Sequence, residues 1–142
     1  MSRTITIEHN GKTYYGKVAK IKSTMIGVED HGILTAYLHV EGDGWGIGVG
    51  GYSLDTPIKD ENDKFLRREP TAYGLDQIVQ MARTVGVPTW EKLPGREVLV
   101  LFDTPNSWGS TAKGIAHISD EDKVLILEDH LAEWKARETV SA

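Results

Sequence analysis

The stretch Gly42-Asp43-Gly44-Trp45-Gly46-Ile47-Gly48-Val49-Gly50-Gly51-Tyr52 places six glycines within eleven residues. Glycine inside a strand costs roughly 0.5–1 kcal/mol relative to alanine, so a chain that uses six of them exploits the bare backbone. Three uses compete. Flexible linkers are Gly and Ser tracts, whereas Trp45, Ile47 and Val49 recur here with a period of two, which is the strand signature. A nucleotide-hydrolysing phosphate loop needs G-x-x-x-x-G-K-[ST], and no Lys-Ser or Lys-Thr follows these glycines. The G-x-G-x-x-G spacing is also missing, and no long helix follows. The run therefore reads as a kinked or bulged strand with one face nearly bare, which suits close approach of another backbone or of a ligand.

The chain has 142 residues, 39% hydrophobic and 26% charged, which fits one domain spanning 1–142. Its net charge of −5 opposes a nucleic-acid or anionic-membrane partner, both of which need clustered Lys and Arg. Cysteine is absent, which removes disulfides, thiolate nucleophiles and thiolate metal sites and points to the cytosol. Met1-Ser2-Arg3-Thr4-Ile5 opens no apolar run of signal-peptide length, and no eighteen apolar residues are consecutive.

Thr4 to Glu8 alternate in polarity, Asn10-Gly11 supplies a type I′ turn pair, and Thr13 to Ile21 resumes the alternation, which predicts a hairpin. Asp30-His31-Gly32 marks a second turn, between Met25-Ile26-Gly27-Val28 and a strong strand from Ile33 to Val40. The glycine strand follows and ends near Leu54. Residues 55–70 are polar and turn-rich and read as a long exposed loop. Leu75, Ile78, Val79 and Ala82 then share one face at helical spacing, with Gly86 as C-cap and Pro88 beyond. A short turn at Trp90, a strand from Glu97 to Phe102, a loop through Trp108 and a strand over Ala112 to Ile118 come next. Val124 to Leu127 fits either strand or helix, and Asp129 to Arg137 fits a short terminal helix. The fold class is α+β, an antiparallel sheet of about six strands with one central helix and a short C-terminal helix. Residues 120–142 read as a C-terminal extension.

No catalytic constellation emerges. His31, His39, His117 and His130 stand near acids but without H-E-x-x-H spacing, so they read as strand and turn residues and no metal site is expected. No serine lies in G-x-S-x-G, and twenty-one carboxylates cannot be paired without geometry. Binding is better served. Glycine N–H groups suit phosphate or carbonyl oxygens, Trp45, Tyr52, Tyr73 and Trp108 offer flat faces, and Arg67, Arg68 and Arg83 offer charge. Each has a plainer role: Trp45 and Tyr52 in the core, Arg67 and Arg68 on a solvated loop, Arg83 against the helix dipole.

Three blocks stand in order: Val28-Glu29-Asp30-His31-Gly32-Ile33-Leu34-Thr35-Ala36-Tyr37-Leu38-His39-Val40, the run ending Gly50-Gly51-Tyr52-Ser53-Leu54-Asp55, and Val85-Gly86-Val87-Pro88-Thr89-Trp90-Glu91-Lys92-Leu93-Pro94-Gly95. As a set, spanning roughly residues 25–118, they resemble small phage-encoded proteins of the first Thoeris anti-defence family, sponges for a cyclic ADP-ribose signal. The resemblance implies a non-enzymatic, cofactor-free homo-oligomer built from dimers in the host-cell cytosol. Such a protein captures glycocyclic ADP-ribose near subunit contacts and denies it to the host effector. It also implies that Gln80, Phe102 and Asn106 reach the pocket. Where the family has basic residues on the helix this chain has Val79 and Gln80, which leaves Arg67, Arg68 or Arg83 for the phosphates. The expected ligand set is thus Tyr52, Arg67, Arg68, Tyr73, Gln80, Arg83, Phe102 and Asn106. Gly44, Gly46, Gly48, Gly50 and Gly51 are the backbone or interface positions. Two rivals stand beside this reading: a protein-binding inhibitor that docks through the glycine strand and the 55–70 segment, and a nucleotide hydrolase or lyase.

Overall fold

Turn chemistry sets the strand order. Asn10 and Gly11 adopt φ of 50° and 77°, and His31 and Gly32 adopt 53° and 77°, the double positive φ of type I′ turns. These turns join β1 (Thr4–His9) to β2 (Lys12–Asp30), and β2 to β3 (Ile33–Gly42). Asp43-Gly44 then joins β3 to β4 (Trp45–Gly50). The computed structural model describes residues 4–106 and 110–141, the side chains of 139–141 excepted. Trp108 and its loop neighbours therefore lie outside the described residues.

The remaining elements are β5 (Asp55–Lys59), β6 (Phe65–Pro70), α1 (Ala72–Val85), β7 (Glu97–Phe102), β8 (Gly114–Ala116), β9 (Val124–Ile126) and α2 (Leu127–Ser141), with a 3-10 turn over Trp90–Lys92. The fold is α+β, as expected, with seven antiparallel strands in the main sheet rather than about six. Their order is β4-β3-β2-β7-β8-β9, with β1 also on β2. The 19-residue β2 joins the two segments that the sequence separated at Ile21 and Met25. A register shift between Ile21 and Ser23 lets it pass from β1 to β3 without breaking.

One face of the sheet packs Ile21, Leu38, Val40, Val49, Val98, Val100 and Ile115 against Met81 and Val85 of α1. Tyr14, Leu99, Leu101, Ala116 and Ile126 form a second, smaller cluster. Strand β7 supplies both, Val98 and Val100 to one and Leu99 and Leu101 to the other, so its residues 98–102 are all buried. That double burial explains its unbroken apolar run. At the entry to α1, the Thr71 hydroxyl accepts from Gly74 N–H at 2.9 Å and donates to Leu54 O at 2.7 Å, so one side chain caps the helix and ties it to the preceding chain. Gly86 caps the other end at φ 97°, its N–H bonded to Ala82 O, as the sequence indicated.

Three expectations are corrected. Residues 55–70 are exposed as expected, but they form a hairpin, β5 on β6, not a loop. Asp60 Oδ1 accepts from the N–H groups of Asn62 and Lys64, both at 2.9 Å, and the hairpin lacks the one-sided apolar alternation that marks a strand in sequence. The 120–142 segment is no appendage, since Leu125, Ile126 and Leu127 are core residues and β9 is the last strand of the sheet. Finally, the apolar face of α1 is split between core and solvent. The helix buries Tyr73, Gly74, Gln77, Met81, Thr84 and Val85, while Leu75 is 68% and Val79 36% exposed. The apolar stripe straddles the boundary: Ile78 and Ala82 are half-buried against the core, while Leu75 and Val79 face outward. On urea unfolding, Leu75→Ser is expected to change stability by no more than about 0.5 kcal/mol, whereas Met81→Ala, at a fully buried position, costs about 2–5 kcal/mol. A large loss at Leu75 and a small one at Met81 would reverse the assignment of faces.

Candidate functional site

The glycine run owes much of its bareness to one ring. Tyr37 on β3 points to the outer face of the sheet, opposite Gly50 in register. A Cβ on Gly48 would stand 3.1 Å from its Cδ1, and one on Gly51 would stand 2.7 Å from its hydroxyl oxygen. The ring therefore lies across the positions that Gly48 and Gly51 leave open, and Gly51 also needs its φ of 85°. Next to it His39 stacks on Tyr37, with centroids 5.9 Å apart and planes at 18°. On the inner face Trp45, Ile47 and Val49 join the core, where Trp45 meets Phe102 edge-on at 6.2 Å.

Beyond the Tyr37 ring the outer face stays uncovered. Lys22, Ser23, His39, Glu41, Gly46 and Gly48 line a trough of about 490 Å³. Its floor is glycine backbone, one wall is the His39 imidazole, and a cation and a carboxylate stand at the rim. Lys22 Nζ and Glu41 Oε1 are 3.1 Å apart, with 68% and 56% of their side chains exposed. So exposed a pair contributes little, and Lys22 can turn to another anion at small cost.

Two further cavities differ in charge. One, about 510 Å³, has an apolar floor of Ile5, Ile7, Leu99 and Ala116 and an acidic rim of Glu8, Asp120, Glu121 and Asp122. The other, about 240 Å³, lies between α1 and α2 and is lined by Asp76, Gln80, Asp129, His130, Glu133 and Trp134 among others. The first rim repels phosphate, while the second is mixed, with Arg137 and His9 among its acids. In the second, Asp76 Oδ2 pairs with His130 Nε2 at 2.7 Å and accepts from Trp134 Nε1 at 3.0 Å, while Oδ1 accepts from Gln80 Nε2 at 3.3 Å. Burial pushes the Asp76 carboxyl up, but the bonds from His130, Trp134 and Gln80 outweigh it and leave the group below its ordinary range. This network docks α2 on α1.

The expected ligand residues disperse. Arg67 bonds Glu69 Oε1 through Nε at 2.9 Å and Nη2 at 2.6 Å. Arg68 bonds Asp55 Oδ1 through Nε at 2.9 Å and Nη2 at 2.7 Å, and the second Asp55 oxygen accepts from Leu34 N–H, so Arg68 pins the hairpin to β3. Arg68, in a largely buried pair, is committed to Asp55, whereas the exposed Arg67–Glu69 pair can open to another anion at small cost. Tyr73 is buried, its hydroxyl donating to Gln77 Oε1 at 2.6 Å, and burial, with the neighbouring Tyr52, pushes its phenol up to about 12. Tyr52 is half-buried against the core and burial raises its phenol too. Phe102 is 2% exposed, Gln80 belongs to the Asp76 network, and Arg83 and Asn106 are exposed on the last turn of α1 and after β7. Tyr52 comes together with Tyr73 in the cluster around Ala36 and Leu54, and it also packs against the main core cluster that holds Phe102. The sequence reading passed over Lys22 and Asp76 and set His39 and His130 aside. Strand parity, which puts His39 and Gly48 on one face, was the signal that could have found the trough.

No protein-family model matches this chain, and no curated protein and no solved structure matches it either.

The Asp55–Arg68 pair sets a pH dependence. The bonds from Arg68 hold the Asp55 carboxyl below its ordinary value of 3.8 against the opposing pull of burial. A depressed folded-state value stabilises the fold above 3.8, and that stabilisation drains away as the pH falls through the lower folded-state value. Asp55→Asn is expected to lower the unfolding free energy at pH 7 and to flatten the fall in stability between pH 4 and pH 2, measured by urea titrations at each pH. An unchanged slope would show that Asp55 carries none of the acid sensitivity.

Proposed function

We propose that the chain is a binding protein of phage origin that captures a cyclic nucleotide signal of the glycocyclic ADP-ribose type and holds it uncleaved, depriving a host Thoeris effector of its activator. The observation that carries this reading is the glycine-floored trough. Its volume of about 490 Å³ falls within the roughly 300–1,000 Å³ of pockets that take small ligands. Its groups fit the parts of such a ligand. The flat floor of Gly46 and Gly48 beside the His39 ring accepts a base face-on, Lys22 meets a phosphate, and Glu41, released from Lys22, accepts from ribose hydroxyls. The resemblance in three sequence blocks supports the same ligand class. In this reading Arg67 and Arg68 hold the hairpin and the trough supplies its own cation.

A second reading, a protein-binding inhibitor, draws on one observation: the β5–β6 hairpin carries Phe65 and Leu66 at 55% and 52% exposure. Calorimetry separates the two. Cyclic and glycocyclic ADP-ribose isomers are expected to bind at micromolar protein, and ligand released by heating is expected to be chemically intact. His39→Ala and Lys22→Ala should each weaken binding about tenfold, a truncation cost of about 1.4 kcal/mol. Absence of binding by every isomer would sink the proposal, and recovery of a cleaved product would replace it with turnover.

A further inference from the structure

The cavity of about 510 Å³ shares no lining residue with the trough. Register puts its apolar lining on one face of the sheet: Ile5 and Ile7 stand opposite Gly16 and Tyr14, Leu99 opposite Ala116, and Ala116 opposite Val124. Ile5 and Ile118 are each 40% exposed, so the apolar floor reaches solvent at β1 and just beyond β8. Strand β1 forms one wall and the turn after β8, residues 117–122, forms the other. That turn is held in shape. His117 Nδ1 accepts from the N–H groups of Ser119 at 3.1 Å and Asp120 at 2.8 Å, and Asp120 Oδ1 accepts from Asp122 N–H at 3.0 Å.

Alternate residues of a strand face opposite sides, yet Ile5, Thr6, Ile7 and Glu8 all line the cavity, so it follows the edge of β1 and not one face alone. That edge has no partner strand among the described residues. Its open groups can be named. The two-residue turn Asn10-Gly11 closes on His9 and Lys12, which makes them a hydrogen-bonded pair, and bonded and non-bonded pairs then alternate. Ile7 and Ile5 thus bond Tyr14 and Gly16, while Thr6 and Glu8 turn their N–H and C=O groups away from β2. The far side of β2 agrees: Ile21 N–H donates to Arg96 O at 2.8 Å, so the odd residues of β2 face β7 and the even ones face β1. Thr4 to Ile7 are β-branched throughout, and β1 holds no lysine or proline, the usual guards of an edge.

We infer that this groove docks an extended segment of another protein, added to β1 as a further strand and alternating apolar with basic residues. Each demand comes from a different part of the groove. The outward groups of Thr6 and Glu8 call for a backbone, and the floor takes an apolar side chain from every second residue of an added strand. The rim carries Glu8, Asp120, Glu121 and Asp122 with no Lys or Arg, and none of these acids is paired with a described cation. Lysine or arginine between the apolar residues meets that charge. The chain's own stretch of this kind, Ala19-Lys20-Ile21-Lys22, is held inside β2 between β7 and β3, so a second copy does not offer it. The groove is read without reference to nucleotide capture and stands or falls apart from the proposed function.

Fluorescence anisotropy with the labelled peptide Val-Lys-Val-Lys-Val-Lys tests it, with Val-Glu-Val-Glu-Val-Glu and the triamine spermidine as controls. The lysine peptide is expected to bind saturably and the glutamate peptide about tenfold more weakly or not at all, while spermidine at the peptide's own concentration leaves it bound. Thr6→Pro removes an outward N–H that the β2 ladder does not use, and it is expected to weaken the lysine peptide about tenfold. Glu121→Gln with Asp122→Asn, at two exposed positions, should weaken it about threefold and reduce its salt dependence. Amide exchange on the wild type decides the matter even if Thr6→Pro fails to fold: under saturating peptide, Thr6 and Glu8 are expected to slow about tenfold. No saturable binding, equal binding of the glutamate peptide, or exchange at Thr6 and Glu8 that ignores the peptide would overturn the inference. Displacement by spermidine would overturn it too, leaving only a rim that collects cations.

Discussion

Strand β2 gives hydrogen bonds to three neighbours. Residues 12–17 pair with β1 and residues 20–30 with β3, in succession along one edge, while residues 15–20 pair with β7 along the other. Every other strand of the main sheet reaches its place through this one. A slip of one residue in β2 would turn Ile21 outward and Lys20 and Lys22 inward, exchanging core for solvent along the whole ladder. The irregularity at Lys22, one of two along the β2–β3 ladder with that between Gly27 and Asp30, presents Lys22 and Ser23 to the outer face together. Alternation from the buried Ile21 gives the trough its cation, and the irregularity adds Ser23 beside it.

The second organising constraint is the docking of α2. The helix has little apolar asymmetry, and its hold on α1 rests on Asp76, a carboxylate that accepts from an imidazole, an indole and an amide at once. Charge-assisted bonds of this kind are shorter and stronger than neutral ones. They let a polar helix seat itself beside β9 with Leu127, His130, Leu131 and Trp134 turned inward.

Local chemistry made part of this legible in the sequence. Asn10-Gly11, His31-Gly32 and Gly86 announce themselves because few other residues adopt a positive φ cheaply, and the resulting turns fix neighbouring strands as antiparallel pairs. Long-range choices were opaque. Periodicity showed that Leu75 and Val79 share a face of α1, but which face meets the sheet depends on the fit of Gly74 against Leu54 and of Gln77 against Tyr73, and neither is written in the spacing. Asp76 meets His130 and Trp134 across 54 and 58 residues, beyond any local pattern. For the arginines, the sequence shows a charge but not the acid, Glu69 or Asp55, that pairs with it.

The ring of Tyr37 lying over Gly48 and Gly51 has a consequence for how the chain can vary. Residues 37 and 48 occupy one shared volume, so a larger side chain at 48 becomes acceptable only in a background where 37 has shrunk, and each change alone is harmful in its own way. Gly51 stays outside that exchange, since its φ of 85° demands glycine whatever stands at 37. Positions 37 and 48 therefore form an epistatic pair, whereas Gly46, where an added Cβ meets nothing closer than 3.5 Å, can change on its own.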